Sequence, residues 1–140
     1  MFYIPAAAAG SLCFIGIPLT VAPFPLIYQQ CVYAARVIAG IKELPCKQVM
    51  LDELNREHES LAQRGLSQRY FHKFEMRQFE YLDELAHLSS RGGSEGDEVP
   101  IPLYIKDMYD YVMSRRRTNV MEYRNDVIHV SDDQTSFHVS

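Results

Sequence analysis

Residues 1–35 contain no Asp, Glu, Lys, Arg or His, and all 14 basic and 18 acidic residues follow them. A surface segment of that length would carry charge, so this one must be hidden from water, in a bilayer or in a protein interior. A bilayer core of about 30 Å takes about 20 largely apolar helical residues. Residues 2–27 are long enough, with Ser11 and Thr20 as their small polar side chains. The stretch therefore reads as a transmembrane segment. It lacks the basic n-region of a secretory signal and the arginines of a transit peptide. A buried core segment of a soluble domain is the alternative, because prolines interrupt the run.

Those prolines are Pro5, Pro18, Pro23 and Pro25. Pro5 suits a helix start, where the missing N–H costs nothing. Pro18 should kink a helix, and Pro23-Phe24-Pro25 should break one. Two geometries follow: a kinked span over residues 5–28, or a short helix over 6–17 with a second over 26–41. Gly10, Gly16 and the alanines at 6–9 supply small residues for close helix packing, with Pro18, Pro23 and Pro25 as the kink positions. Broken backbone inside a membrane needs protein cover, so the span implies protein neighbours. Arg36, Lys42 and Lys47 follow the span and place the body on the cytoplasmic or matrix side.

The remaining residues divide by composition. Residues 36–91 carry 9 basic and 9 acidic side chains; residues 92–140 carry 5 and 9, which accounts for the net charge of −4. That balance offers nothing to nucleic acid. Residues 48–64 read as an amphipathic helix with Leu51, Leu54, His58 and Leu61 on one stripe, ended by Gly65. Residues 68–88 read as a second helix. Its face of Phe71, Phe74, Leu82 and Leu85 is interrupted by Gln78, and we take those four apolar residues as partner-binding. The two helices form either a hairpin at Gly65 or one long bent helix. Residues 92–102 are a linker, rich in Gly and Ser at first and then Val99-Pro100-Ile101-Pro102. Residues 103–140 hold a short helix, ending in Arg115-Arg116-Arg117, and a largely irregular tail. The arginines complement the helix dipole or meet anionic lipid or an acidic partner. Residues 126–131 can pair as a strand, and 132–136 look disordered or partner-bound.

Chemistry is sparse. Cys13, Cys31 and Cys46 form no CxxC, so neither a disulfide framework nor a zinc site is expected. Glu84 and His87 have the Glu-x-x-His spacing of di-iron bundles, but no second such pair exists. No Gly-x-Gly-x-x-Gly, P-loop, Gly-x-Ser-x-Gly or His-Glu-x-x-His motif occurs. Tyr109–Val112 has the form of a sorting signal, a pattern that arises readily by chance. No catalytic residue, cofactor or metal is assigned.

The fold class expected is mainly α: a Pro-kinked transmembrane helix (1–35), amphipathic helices (36–91), the linker (92–102) and a short helix with a tail (103–140). The function expected is a non-catalytic accessory subunit of a multi-subunit membrane complex. A mitochondrial inner-membrane respiratory-chain or ATP synthase assembly fits that outline, with the body in the matrix. Its partners would be other membrane subunits and the lipid bilayer, with no nucleic acid and no small-molecule substrate. The alternatives are a small single-pass membrane protein that self-associates, and a soluble helical binding module whose apolar N-terminus is core.

Overall fold

The computed structural model describes residues 11–90 and 100–140. The chain divides into two compact units, Met1–Pro100 and Ile101–Ser140. The first holds α1 (Pro23–Ile38), α2 (Lys47–Gln63), a 3-10 turn (Gln68–Tyr70) and α3 (Arg77–Ser89). The second holds α4 (Leu103–Thr118) and the strands β1 (Ile128–Val130) and β2 (Phe137–Val139).

Pro23 and Pro25 do not break a helix; they start one. Both lie in the first turn of α1, where a missing N–H costs nothing and the fixed φ already suits the helix. Pro18 kinks nothing, because residues 11–22 are not helical. Pro18 is buried in an extended stretch that pairs in parallel with residues 72–74: the Leu19 N–H donates to the His72 carbonyl (2.7 Å) and the Phe74 N–H to the Leu19 carbonyl (3.1 Å). Gly16 sits at φ +77°, a left-handed conformation that glycine adopts without strain. Gly10 lies outside the described residues.

The expected transmembrane helix is therefore corrected. The 16 residues of α1 rise about 24 Å, short of a bilayer core. No described helix is long and apolar enough to cross a membrane. The uncharged stretch instead places Leu26, Tyr33 and Ala34 in the core of the first unit, the role that the second alternative gave it.

The partner of α1 is α3. Residues 78, 82, 85 and 89 of α3 recur at three and four, and all are buried. With Phe79, Tyr81 and Ala86 from α3, and Phe74 and Leu61 beside them, they complete the core. The charged helix α2 buries only Leu61. Helices α1 and α2 both end in Schellman motifs. Gly40 (φ +69°) donates to the Val37 carbonyl and Ile41 to Arg36; Gly65 (φ +67°) donates to Ala62 and Leu66 to Leu61.

The expected helix over 68–88 begins only at Arg77. The backbone of residues 72–74 is committed to Leu19, and Glu75 turns the chain through φ +52°. This long-range pairing outcompetes helical continuation. It also removes the expected hairpin at Gly65, since α3 packs on α1 and touches α2 through the Arg77–Glu57 ion pair.

In the second unit, β1 and β2 pair antiparallel with Ile128 opposite Val139, His129 opposite His138 and Val130 opposite Phe137. Residues 132–136, expected to be disordered or partner-bound, form the turn of this hairpin. The Ser131 hydroxyl accepts from the Thr135 and Ser136 N–H groups (3.2 and 3.1 Å), which fixes the turn. The Asp126 carboxylate ties the hairpin to α4, accepting from Tyr111 Oη (2.7 Å) and from Arg115 Nε and Nη2 (2.7 and 2.8 Å).

Candidate functional site

The most densely constrained region lies where residues 16–22 cross α1 and α3. Three glutamines are buried there: Gln29, Gln30 and Gln78. The Gln30 carboxamide bridges two elements. Its Oε1 accepts from the Gly16 N–H (2.8 Å) and its Nε2 donates to Tyr81 Oη (3.0 Å). Gln78 also bridges two segments: its Oε1 accepts from the Ala22 N–H (2.6 Å) and its Nε2 donates to the Glu75 carbonyl (2.8 Å). Ala22 is the N-cap of α1 and has no side chain that can cap. In a capping box, a Glu or Gln at N3 satisfies that N–H; here a residue 56 positions away supplies the acceptor.

Tyr81 also faces a cavity of about 190 Å³, lined in addition by Glu57, Phe74, Arg77, Glu80 and Glu84. Burial pushes the Tyr81 phenol up to about 12, an effect only partly opposed by the hydrogen bond from Gln30, so its hydroxyl stays protonated at neutral pH. Arg77 forks onto both oxygens of Glu57 (3.1 and 2.9 Å) and lies 6.0 Å from the centre of the Phe74 ring. The Arg77 charge is thus neutralised by Glu57, leaving Glu80 and Glu84, one helical turn apart, to make the cavity mouth acidic.

The structure places the residues singled out in the sequence as follows. Phe74, Leu82 and Leu85 are buried inside the first unit, which turns these expected partner contacts into core. Phe71 is half-buried and stacks on His58, with ring centroids 4.3 Å apart. Arg115 is held by Asp126, whereas Arg116 and Arg117 are exposed. Gly16, Pro18, Pro23 and Pro25 all lie at the junction of residues 16–22 with α1. Glu84 and His87 join no group of three or more metal-ligating side chains among the described residues. Sequence reasoning passed over Gln29, Gln30 and Tyr81. The available signal was a pair of amides in an otherwise uncharged stretch, together with Gln78 interrupting an apolar face. Buried amides must be hydrogen-bonded, so they mark where another segment crosses.

Residues 4–96 match the family model of flavin-binding monooxygenase-like proteins. From Arabidopsis thaliana, the flavin-containing monooxygenase FMO GS-OX-like 4 is 35% identical over 120 residues, 86% of this chain and 25% of the relative. FMO GS-OX-like 3 from the same plant is 40% identical over 94 residues, 67% of this chain and 20% of the relative. Among solved structures, the S-allyl-L-cysteine S-oxygenase from Allium sativum superposes with a TM-score of 0.77 at 31% identity, over 94% of this chain and 28% of that one. The chain thus spans about a quarter of the length of the relatives it matches.

These matches are to enzymes. They overturn the expectations of a non-catalytic accessory subunit, of a mitochondrial inner-membrane location among membrane subunits and lipid, and of a protein without a small-molecule substrate. Residues 4–35 of the uncharged stretch lie within the matched region, and the chain belongs to the flavin-binding monooxygenase-like family.

Proposed function

We propose that this chain forms the helical portion of a flavin-dependent monooxygenase that transfers one oxygen atom from dioxygen to a thioether sulfur. The other oxygen leaves as water, with two electrons drawn from a reductant. The observation that carries this reading is the 0.77 superposition at 31% identity on an S-oxygenase. The thioether class rests on that neighbour's substrate.

The described residues do not themselves fit a flavin. The cavity beside Tyr81, about 190 Å³, is smaller than ordinary ligand pockets of roughly 300–1,000 Å³. Three glutamates line it, against one arginine already engaged by Glu57, so a pyrophosphate would be repelled. The first turn of α1 carries Pro23 and Pro25 in place of a glycine-rich phosphate cradle. The part of the described residues is architectural: Gln30, Gln78 and Tyr81 fix the crossing of residues 16–22 over α1 and α3, and the rest of the monooxygenase fold builds on that crossing.

A graft tests this. The chain replaces the matching quarter of FMO GS-OX-like 4, and the chimera is assayed for bound flavin by absorbance and for sulfoxide formed from S-allyl-L-cysteine. We expect a folded yellow protein that makes sulfoxide. A folded chimera that makes none would refute the proposal.

A further inference from the structure

Two of the chain's five histidines face each other on the hairpin of the second unit. His129 in β1 and His138 in β2 lie too far apart in the chain to form a local ligand motif, and the antiparallel register sets them directly opposite. Val127 and Ser140 exchange both N–H···O bonds (3.1 and 3.0 Å), so by alternation the histidine pair also occupies a hydrogen-bonded position. Directly opposed side chains leave a sheet on the same face. The two imidazoles stack with centroids 4.8 Å apart and planes 12° from parallel, and both residues are exposed. His129 Nε2 shares a hydrogen bond of 3.0 Å with the Ser140 hydroxyl, which orients that ring. The opposite face of the hairpin is the packed one, where Phe137 meets Tyr111 with centroids 6.0 Å apart. Beside the imidazoles, the residues of their own face are Val127, Ser131, Ser136 and Ser140, and none is a carboxylate. The neighbouring acids are engaged elsewhere: Asp126 by Arg115 and Tyr111, Asp133 by Ser131 and Thr135. Imidazole and hydroxyl donors without a carboxylate suit a borderline transition metal, whereas Mg2+ and Ca2+ want carboxylate oxygens.

We propose that His129 and His138 form a two-histidine seat for a divalent transition-metal ion, Zn2+ or Cu2+, with the Ser140 hydroxyl and water completing the coordination. Metal–imidazole bonds of about 2.0–2.1 Å at a tetrahedral angle put two bound nitrogens about 3.3 Å apart. The stacked rings already stand close to that separation, and rotation about their exposed Cβ–Cγ bonds draws the facing edges together. The ion clips β1 to β2. Each strand has three residues, and a two-stranded hairpin of that size is marginal by itself. A ligand that binds only the paired strands stabilises them by mass action.

The unaltered 140-residue chain is titrated with Zn2+, its free concentration set by a chelator buffer, and each imidazole is followed by NMR. We expect the His129 and His138 rings to shift together with one midpoint, as a single ion bound to both requires. Separate midpoints mean two independent surface imidazoles and overturn the proposal. At free Zn2+ about a hundred times the midpoint, the hairpin amides should exchange at least tenfold more slowly. Unchanged exchange overturns the proposal. His129→Gln and His138→Gln should each weaken Zn2+ binding at the remaining imidazole at least tenfold, and a smaller loss in either variant overturns it. Mg2+ at the same concentrations should move neither ring; equal shifts would trace the effect to charge alone and overturn the proposal. Either substitution can itself open the hairpin, so Cu2+ on the unaltered chain gives an independent decision. Its electron paramagnetic resonance should show two equatorial imidazole nitrogens on one ion. The His129 and His138 resonances should broaden before those of His58, His72 and His87. One imidazole per Cu2+, or earlier broadening at another histidine, overturns the proposal.

Discussion

Replacing Gln78 by Leu isolates the contribution of a single buried amide. Gln78 has no exposed surface, and its two hydrogen bonds reach the Ala22 N–H and the Glu75 carbonyl. Leu nearly preserves the volume, so the cavity contribution is small. The Ala22 N–H loses its acceptor in a half-buried position, which costs about 1–3 kcal/mol. The Glu75 carbonyl belongs to an exposed residue and can turn to water. Part of the cost is offset because a carboxamide is no longer desolvated, leaving a net loss of about 1–2 kcal/mol. With a urea slope of about 1 kcal/mol/M for a unit of this size, the midpoint should fall by about 1–2 M. Far-UV circular dichroism and tyrosine fluorescence follow the transition, and amide exchange at Ala22 should accelerate. Gln78→Glu sharpens the test. Its carboxylate can still accept from Ala22, but it is buried and faces the Glu75 carbonyl, so its folded pKa rises above the usual carboxylate value. The protonated acid restores a donor. Stability is therefore lost as pH rises through the folded pKa, and Gln78→Glu should gain on wild type as pH falls from 7 toward the ordinary glutamate value of about 4.3. A Gln78→Leu variant as stable as wild type, with unchanged Ala22 exchange, would refute the assignment of Gln78 as the remote cap of α1.

Three further outcomes are expected. Leu82→Ala, at a fully buried position in α3, should cost about 2–5 kcal/mol in thermal or urea unfolding, whereas Phe24→Ala, at an exposed position of α1, should change stability by less than about 0.5 kcal/mol. Alkaline spectrophotometric titration should show one tyrosine ionising near pH 12, absent in Tyr81→Phe, because burial holds that phenol protonated. In the second unit, the Arg115 and Tyr111 donors hold Asp126 down at about 2. A carboxylate whose pKa is depressed on folding stabilises above its unfolded value and loses that contribution as pH falls toward the folded one. The His129 and His138 resonances of the hairpin should therefore shift between pH 4 and pH 2, and in Asp126→Asn the altered hairpin spectrum should already be present at neutral pH.

What the sequence determined by itself is local. The amphipathic period of α2, the glycine that ends it, the existence of α4 and the absence of charge from residues 1–35 all follow from side-chain type and spacing. The strand at 126–131 was legible for the same reason, although its partner at Phe137–Val139 was not. Only the tertiary structure decided what hides the uncharged stretch. Apolarity alone does not distinguish lipid from protein, and a proline reads as a breaker until its place in the helix is known. Pro23 and Pro25 proved to be a first turn, and Gln30 and Gln78 proved to be the polar anchors of a crossing that brings residue 22 to residue 78. Such contacts join positions too far apart for any local period to register. The long-range pairing of Leu19 with Lys73 likewise stopped the helix that periodicity alone extended back to residue 68. The packing of α1 on α3 showed that protein covers the side of the uncharged stretch that carries Leu26, Tyr33 and Ala34.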